Sequence, residues 1–404
     1  MTGSEIDGSS WLFRIVNISL ITGGAPHYEQ GLVSGLAGQP LEVDVIGGDE
    51  LEATPVMRLP QVHFKNLHGT QNPDSPLWLK FARVIQVYLR LIFYAVKSKT
   101  KVIHIQWPYK FVFLDRTVLN LYYKALGKKI VFTAHNIDGD ARDGTSSWSK
   151  RFSLRFLYRI VDHIIVHTDK MKSELVTGFG VRDTKISVIP HGVMSAVPES
   201  SLDGAGARKL LNIEPDLHVL LFFGLITPYK GLENLIEAVG RLRQEGKKLK
   251  LLVVGRVKEC PEYWEKVRGL IERLGLVKDV ITELKRVPDE SVEIYFKAAD
   301  VLVLPYRSIF QSGVLFLTYR FGLPVIATDV GSFKEDIIRG KTGYVCRADD
   351  SADLAKTISE YYASDLFADL ENKRREIRDY AYDRYSWTRI GEMTRKVYEQ
   401  VLRE

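Results

Sequence analysis

Cysteine is nearly absent from this chain: Cys260 and Cys346 are the two in 404 residues, far apart and in no Cys-x-x-Cys pattern. That excludes a disulfide framework and argues against a zinc site, so a reducing compartment fits best. Uninterrupted apolar runs of about 18 residues are also missing, and with them any expectation of a membrane-spanning helix. The first ten residues carry Glu5 and Asp7 and no basic stretch, and Arg14 and Asn17 break the apolar run behind them. A first strand explains that run better than a signal peptide. Low-complexity tracts are lacking too.

At this length two domains are the default. The net charge of +6 is distributed unevenly. Residues 1–193 hold 23 Lys and Arg against 17 Asp and Glu, and the remainder balances at 33 of each sign. Between residues 70 and 160 the count is 16 basic to 5 acidic, which points to a surface for an anionic partner.

Short β-rich runs alternate with stretches of helical period along the chain, the pattern of parallel sheets with crossover helices. Strands are expected in the first half at 13–21, 41–46, 102–105, 129–133, 163–167 and 186–189, with helices near 27–36, 77–96, 116–126, 148–160 and 170–177. The alternation restarts at 218–223 and continues through 248–254, 280–281, 300–304 and 324–327. Residues 194–217 begin polar and Gly/Ser/Pro-rich and read as a linker. Two helical segments, 367–382 and 387–402, close the chain. The expected fold class is therefore α/β, two Rossmann-like domains facing each other across a cleft. Ligands of such sheets bind where strands end and helices begin.

Most motifs fall at those places. Gly23-Gly24 follows the first strand, and paired glycines let backbone amides approach a phosphate or a sugar. A tight turn would use the same residues. Gly224 opens a turn ending in Lys230-Gly231, which puts a compact cation at a helix start and suits a diphosphate. Gln311-Ser312-Gly313 starts another helix after the strand ending at Leu304. The turn Val330–Lys334 leads to Glu335, a candidate to orient a hydroxyl. His135 lies past a strand end. His104 lies inside a strand, where a packed or supporting role competes with direct contact, and His191 follows Pro190 in a turn it could simply cap.

In order, these elements resemble a retaining glycosyltransferase of family 4 with the GT-B fold. The resemblance rests on Gly23-Gly24, Ile103-His104-Ile105, Phe132-Thr133-Ala134-His135-Asn136, Ile189-Pro190-His191-Gly192-Val193, Lys230-Gly231, Gly322-Leu323-Pro324-Val325 and Glu335. It implies transfer of a sugar, with retention, from a UDP- or GDP-sugar to a lipid-linked or saccharide acceptor, with no obligatory cofactor or metal. Lys230 and the amides near Gly313 would hold the donor diphosphate, with Gly224, Gln311, Ser312 and Glu335 around it. Gly23 and Gly24 would approach the donor from the facing domain, His104, Gln106 and His135 would line the acceptor side, and His135 and Lys230 would be the catalytic residues. The domains would be 1–195 for the acceptor, 196–385 for the donor, and a last helix, 386–404, crossing back to the first.

Three departures stand out. Gln311-Ser312-Gly313 replaces the paired-glutamate motif, with Ile309 and Leu317 near the glutamate positions. Leu225 stands where a basic residue often follows the glycine, leaving Arg256 or Arg307 to assist Lys230. Gln106 stands where the acceptor loop often has a histidine.

The segment 77–159 interleaves aromatics with cations: the nearly all-apolar 77–96, Trp107 to Phe113, and Trp148 to Arg159. Residues 77–96 read either as a buried crossover helix or as a surface helix. For the segment as a whole, the composition points to an anionic membrane surface rather than nucleic acid, and so to a peripheral place on the inner, cytoplasmic membrane face. A sugar-nucleotide epimerase of similar fold and a non-catalytic nucleotide-sugar-binding relative are the rival functions.

Overall fold

The computed structural model describes residues 16–70, 75–138, 147–257 and 260–404. The chain divides into two compact units. The first comprises residues 1–167, Lys172–Ile189 and Trp387–Glu404; the second comprises Thr168–Met171 and Pro190–Ser386.

The first unit is built on seven parallel strands, β1 (Val16–Ile21), β2 (Leu41–Gly48), β3 (Val62–Gly69), β4 (Val102–Ile105), β5 (Lys129–Thr133), β6 (His163–Val166) and β7 (Ile186–Val188), in the order β3-β2-β1-β4-β5-β6-β7. The second has six, β8 (His218–Phe223), β9 (Leu249–Val254), β10 (Val280–Glu283), β11 (Val301–Leu304), β12 (Val325–Thr328) and β13 (Gly343–Cys346), ordered β10-β9-β8-β11-β12-β13. Helices cover both faces of such sheets, so their strands are apolar throughout rather than alternating. Val301 to Leu304 shows this, with all four residues buried.

Both sheets reverse strand order once, between β1 and β4 and between β8 and β11. Chains leaving those strands diverge and open a crevice at the strands' carboxyl ends. The Gly23-Gly24 turn and Gln106 therefore flank one reversal. Gly224 and the loop after Leu304 flank the other.

The described elements depart from the expected ones at several places. β3 was not anticipated, because its sequence, VHFKNLHG, is half polar and only Val62 and His68 are buried. β13 also went unpredicted: it is four residues long and starts on a glycine. Within the supposed linker, Gly204–Leu210 is a helix, with the Asp203 carboxylate accepting from Gly206 N at 2.7 Å and Arg208 paired to Asp300 at 2.7 Å. The start of the first expected strand, 13–15, lies outside the described residues. The helix expected at 116–126 is two, Val112–Arg116 and Val118–Ala125, separated at Thr117, whose backbone leaves the helical region.

The last helix, Trp387–Arg403, belongs to the first unit and packs on Pro26–Ala37. Glycine permits the crossing. A Cβ on Gly31 would stand 2.0 Å from the Trp387 ring, and one on Gly391 would stand 2.2 Å from the Gly35 carbonyl. No helix among the described residues is long and apolar enough to cross a membrane.

Candidate active site

In the second unit, Gly224 follows β8 with φ +113°, a conformation that side chains resist. A Cβ there would lie 2.8 Å from the Lys230 ammonium, so that cation stands directly over the glycine backbone. Lys230 is 6% exposed, and its Nζ sits 5.2 Å from the centre of the Tyr306 ring, within cation–π range. Pro228–Lys230 forms one tight turn, Gly231 takes the left-handed conformation, and Leu232–Gln244 begins behind it. Gly231 is required by contact as well, since its Cβ would meet the Pro305 carbonyl at 2.2 Å. The Lys230 turn is thereby pinned to the end of β11.

The loop after β11 completes this arrangement. Ser312 is buried, and Gly313 opens the helix Gly313–Arg320. A Cβ on Gly224 would be 3.5 Å from Val314, which brings this helix start to the Lys230 turn. Ser332 N donates to the Phe310 carbonyl at 3.0 Å, and Thr328 Oγ1 to the Tyr306 carbonyl at 2.5 Å, so the 306–313 loop leans on the turn after β12. Glu335 follows that turn, exposed, and its carboxyl is raised above its usual range by partial burial and by the neighbouring Asp336 carboxylate. His191 stacks on Phe316 at 4.9 Å, with its ring near Gly313. The structure thus gathers Gly224, Lys230, Ser312, Gly313 and His191. A buried cation beside helix-start amides is suited to a multiply charged oxyanion.

Arg307 is committed elsewhere. Its guanidinium pairs with Glu233 at 2.8 Å and Asp349 at 2.6 Å, so it is not the assistant to Lys230 that the missing basic residue suggested. Arg256 is exposed.

In the first unit, the amides of Gly23, Gly24 and Ala25 converge on one oxygen of Glu29, at 2.7, 3.0 and 3.4 Å. The anion cradle expected of the glycine pair holds the chain's own carboxylate, and Glu29 must move before those amides can serve a ligand. Sequence reasoning missed Glu29. The available signal was an acidic residue in the first helical turn behind a glycine pair.

His104, Gln106 and His135 come together as one network. Tyr398 Oη lies 2.6 Å from His104 Nδ1, and Thr133 Oγ1 lies 2.7 Å from His104 Nε2. One end of the Gln106 amide is 2.9 Å from His104 Nε2 and the other is 3.1 Å from His135 Nε2. His135 Nδ1 is 3.0 Å from His167 Nε2, and His167 Nδ1 is 2.9 Å from the Ile189 carbonyl. The His135 ring stacks on Trp107 at 4.6 Å, and Trp107 in turn packs against Gly24. Burial depresses His104 to about 3 and His167 to about 4, so both rings are neutral near pH 7. His104 is fully buried and supports its neighbours. Among the described residues no cluster of His, Cys, Asp or Glu could hold a metal ion.

Comparison with known proteins follows the same division. The family described as Glycosyltransferase Family 4 matches residues 22–196, and Glycosyl transferases group 1 matches residues 217–364. Curated D-inositol 3-phosphate glycosyltransferases are similar. The one from Pseudarthrobacter chlorophenolicus is 31% identical over 210 residues, 51% of this chain and 49% of that protein. The one from Corynebacterium jeikeium is 27% identical over 285 residues, 67% of this chain and 66% of that protein. The matches thus span about half to two thirds of those relatives. Among solved structures, sucrose-phosphate synthase from Thermosynechococcus elongatus superposes with a TM-score of 0.74 at 20% identity, over 96% of this chain and 99% of that one. Anabaena HepE in complex with UDP and glucose gives 0.71 at 16% identity, over 95% and 100%. These likenesses establish the GT-B fold.

Proposed function

We propose that the chain, which matches Glycosyltransferase Family 4 over residues 22–196 and Glycosyl transferases group 1 over residues 217–364, moves a sugar from a nucleotide diphosphate donor to an acceptor with retention of configuration. The observation that carries this reading is the buried Lys230 ammonium over Gly224, beside the Gly313 helix start. When the glycosidic bond to the donor breaks, negative charge builds on the departing diphosphate. A cation and backbone amides already in place stabilise that charge without reorganising, and one such donor is worth on the order of 10²–10³ in rate. Gln311, Ser312 and Glu335 surround the sugar end in this reading, in place of the paired glutamates. His135 takes a sugar or acceptor hydroxyl, with Gln106 and His104 behind it. UDP and glucose bound to Anabaena HepE support a nucleotide-sugar donor for this fold.

The acceptor reading is lipid-linked, at a cytoplasmic membrane face. The helix Leu77–Lys97 buries Val87, Tyr88, Leu91 and Ala95 and turns an apolar stripe outward. Trp78 is 71% exposed, Phe81 59% and Phe93 62%, with Ile85, Leu89 and Val96 on the same stripe. It is therefore a surface helix with two apolar sides. Phe111 stacks on Tyr88 and continues the patch with Phe113. On Trp148–Ile160 the outward face carries Trp148, Arg151, Phe152, Arg155 and Arg159. Soluble surfaces seldom expose so many large apolar side chains together, and cations beside them favour anionic lipid headgroups.

The experiment offers UDP- and GDP-sugars to the full chain with and without membrane extract, then reads nucleotide release and the anomeric configuration of the product. Acceptor-dependent release with retention is the expected result. Turnover without any acceptor would identify an epimerase, and binding without turnover a non-catalytic relative.

A further inference from the structure

The sheet of the second unit has two ends, and Lys230 and its neighbours serve the carboxyl end. At the other end, where β8 and β9 begin side by side at His218 and Leu249, the helices Leu232–Gln244 and Ser351–Tyr362 finish. Between them lies a cavity of about 130 Å³. Leu242, Leu249 and Ile358, all buried, are its apolar walls. Lys247 and Ala363 line it where it meets the surface, and both are exposed. The six residues of β8 separate it from the Gly224 turn by about 20 Å.

His218 lines the same cavity with Ser359 and Tyr362. Tyr362 stacks on the His218 ring at 4.0 Å and Phe367 meets it edge-on at 5.2 Å, so the ring plane is held. Neither ring nitrogen bonds to a protein group among the described residues. Burial lowers the pKa of His218, so near pH 7 the ring is neutral with one N–H to donate. Asp300, Arg208 and Lys247 are the charged groups that act on it. Asp300 is taken by Arg208 and by Val219 N, each at 2.7 Å, and Lys248 pairs with Asp216. That leaves Lys247 as a cation with no carboxylate partner among the described residues. The helix-end carbonyls do not offset it, because turn amides take them: Lys247 N donates to Leu242, Gly246 N to Arg243 and Ala363 N to Ser359.

We propose that this cavity is a second ligand site, for a small molecule with an oxyanion head and an apolar body. The His218 N–H, the Ser359 hydroxyl and the Lys247 ammonium hold the head, and Leu242, Leu249 and Ile358 enclose the body. An apolar cavity of roughly 150 Å³ accommodates a benzene ring, which sets the size of that body. A ligand here sits at the opposite ends of the strands from Lys230, so it is an effector and not the sugar donor.

Phenyl phosphate is the probe, titrated by calorimetry into the full chain at pH 7.5. Lys230→Met is the background, because it removes the phosphate-attracting cation of the donor end. Phenyl phosphate should bind that variant at least tenfold more tightly than inorganic phosphate, since its ring is buried against apolar walls. Benzyl alcohol, with the ring and no charge, should bind at least tenfold more weakly than phenyl phosphate. Adding Lys247→Ala, a change at an exposed position, should weaken phenyl phosphate at least tenfold. On the ¹⁵N-histidine-labelled wild type, saturation with the probe should move the His218 ring resonances and raise the pH at which they titrate, because a neighbouring anion favours the charged ring. That readout does not depend on how Lys230→Met folds. Absence of phenyl phosphate binding to folded Lys230→Met would overturn the proposal, as would equal affinity after Lys247→Ala or His218 resonances that stay in place at saturation. Benzyl alcohol binding as tightly as phenyl phosphate would overturn the oxyanion head.

Discussion

At the strand-order reversal of the first unit, histidine rings, an amide and hydroxyls satisfy one another. At the same topological place in the second unit, a buried ammonium stands over a glycine backbone. Both sheets follow one plan, yet one reversal gathers uncharged hydrogen-bonding groups such as Gln106 and Thr133 and the other a cation. The glycine turns show the same divergence. Gly224 carries no side chain so that Lys230 can approach, whereas the amides of Gly23 and Gly24 already hold the Glu29 carboxylate. Chain topology says where a ligand sits in such sheets.

Gly224→Ala breaks the comparison most severely. Its Cβ meets the Lys230 ammonium in a backbone conformation that alanine resists. Turnover should fall on the order of 10²-fold, the cost of displacing one preorganised donor, while Gly24→Ala should act through Trp107 and leave nucleotide affinity within threefold. Steady-state kinetics and nucleotide titration on both variants check this.

Asp115 sharpens the contrast in buried charge. Burial pushes its carboxyl up to about 6, so above that pH the fold bears the cost of a buried anion, and the cost disappears as the pH falls below about 4. Asp115→Asn should therefore stabilise the protein by on the order of 2–3 kcal/mol at pH 8 and by almost nothing at pH 4. Thermal melts across that range measure the gap.

The surfaces differ too. Replacing Trp78, Phe81 and Phe93 together with serine should lower binding to anionic vesicles at least tenfold without lowering thermal stability, since these side chains face outward. Co-sedimentation at low and high salt would show it, and equal binding to neutral vesicles would remove the electrostatic part. The smallest effect belongs to Arg307→Ala. Its pair with Asp349 is exposed, and the buried Glu233 keeps the Tyr263 hydroxyl when the guanidinium is removed, so donor KM should change less than threefold.

Periodicity in the sequence located most strands, and the turns at Gly224–Lys230 and Gln311–Gly313 stood out because glycine, lysine and strand ends are local signals. β3 escaped because half of its residues are polar, and the helix at 204–210 because its glycines and alanines resemble a linker. The network around His135 was legible only in part. His135 was singled out from a strand end and His104 and Gln106 from the family resemblance, but His167 and Tyr398 come from distant segments that only the folded sheet and the last helix bring together. Glu29 was hidden for a related reason: the sequence shows a carboxylate near a glycine pair, and only the turn shows three amides converging on it. The outward apolar stripe was ambiguous between a buried and a surface helix until the packing of Tyr88 and Leu91 settled which side faces the sheet.

The division of charge between the units is tested most directly by calorimetric titration of UDP and GDP into the wild type and into Lys230→Met, which keeps the side chain's length and removes its charge. The account predicts that one of the two nucleotides binds the wild type and binds folded Lys230→Met at least tenfold more weakly. Equal affinity in the two proteins would contradict it.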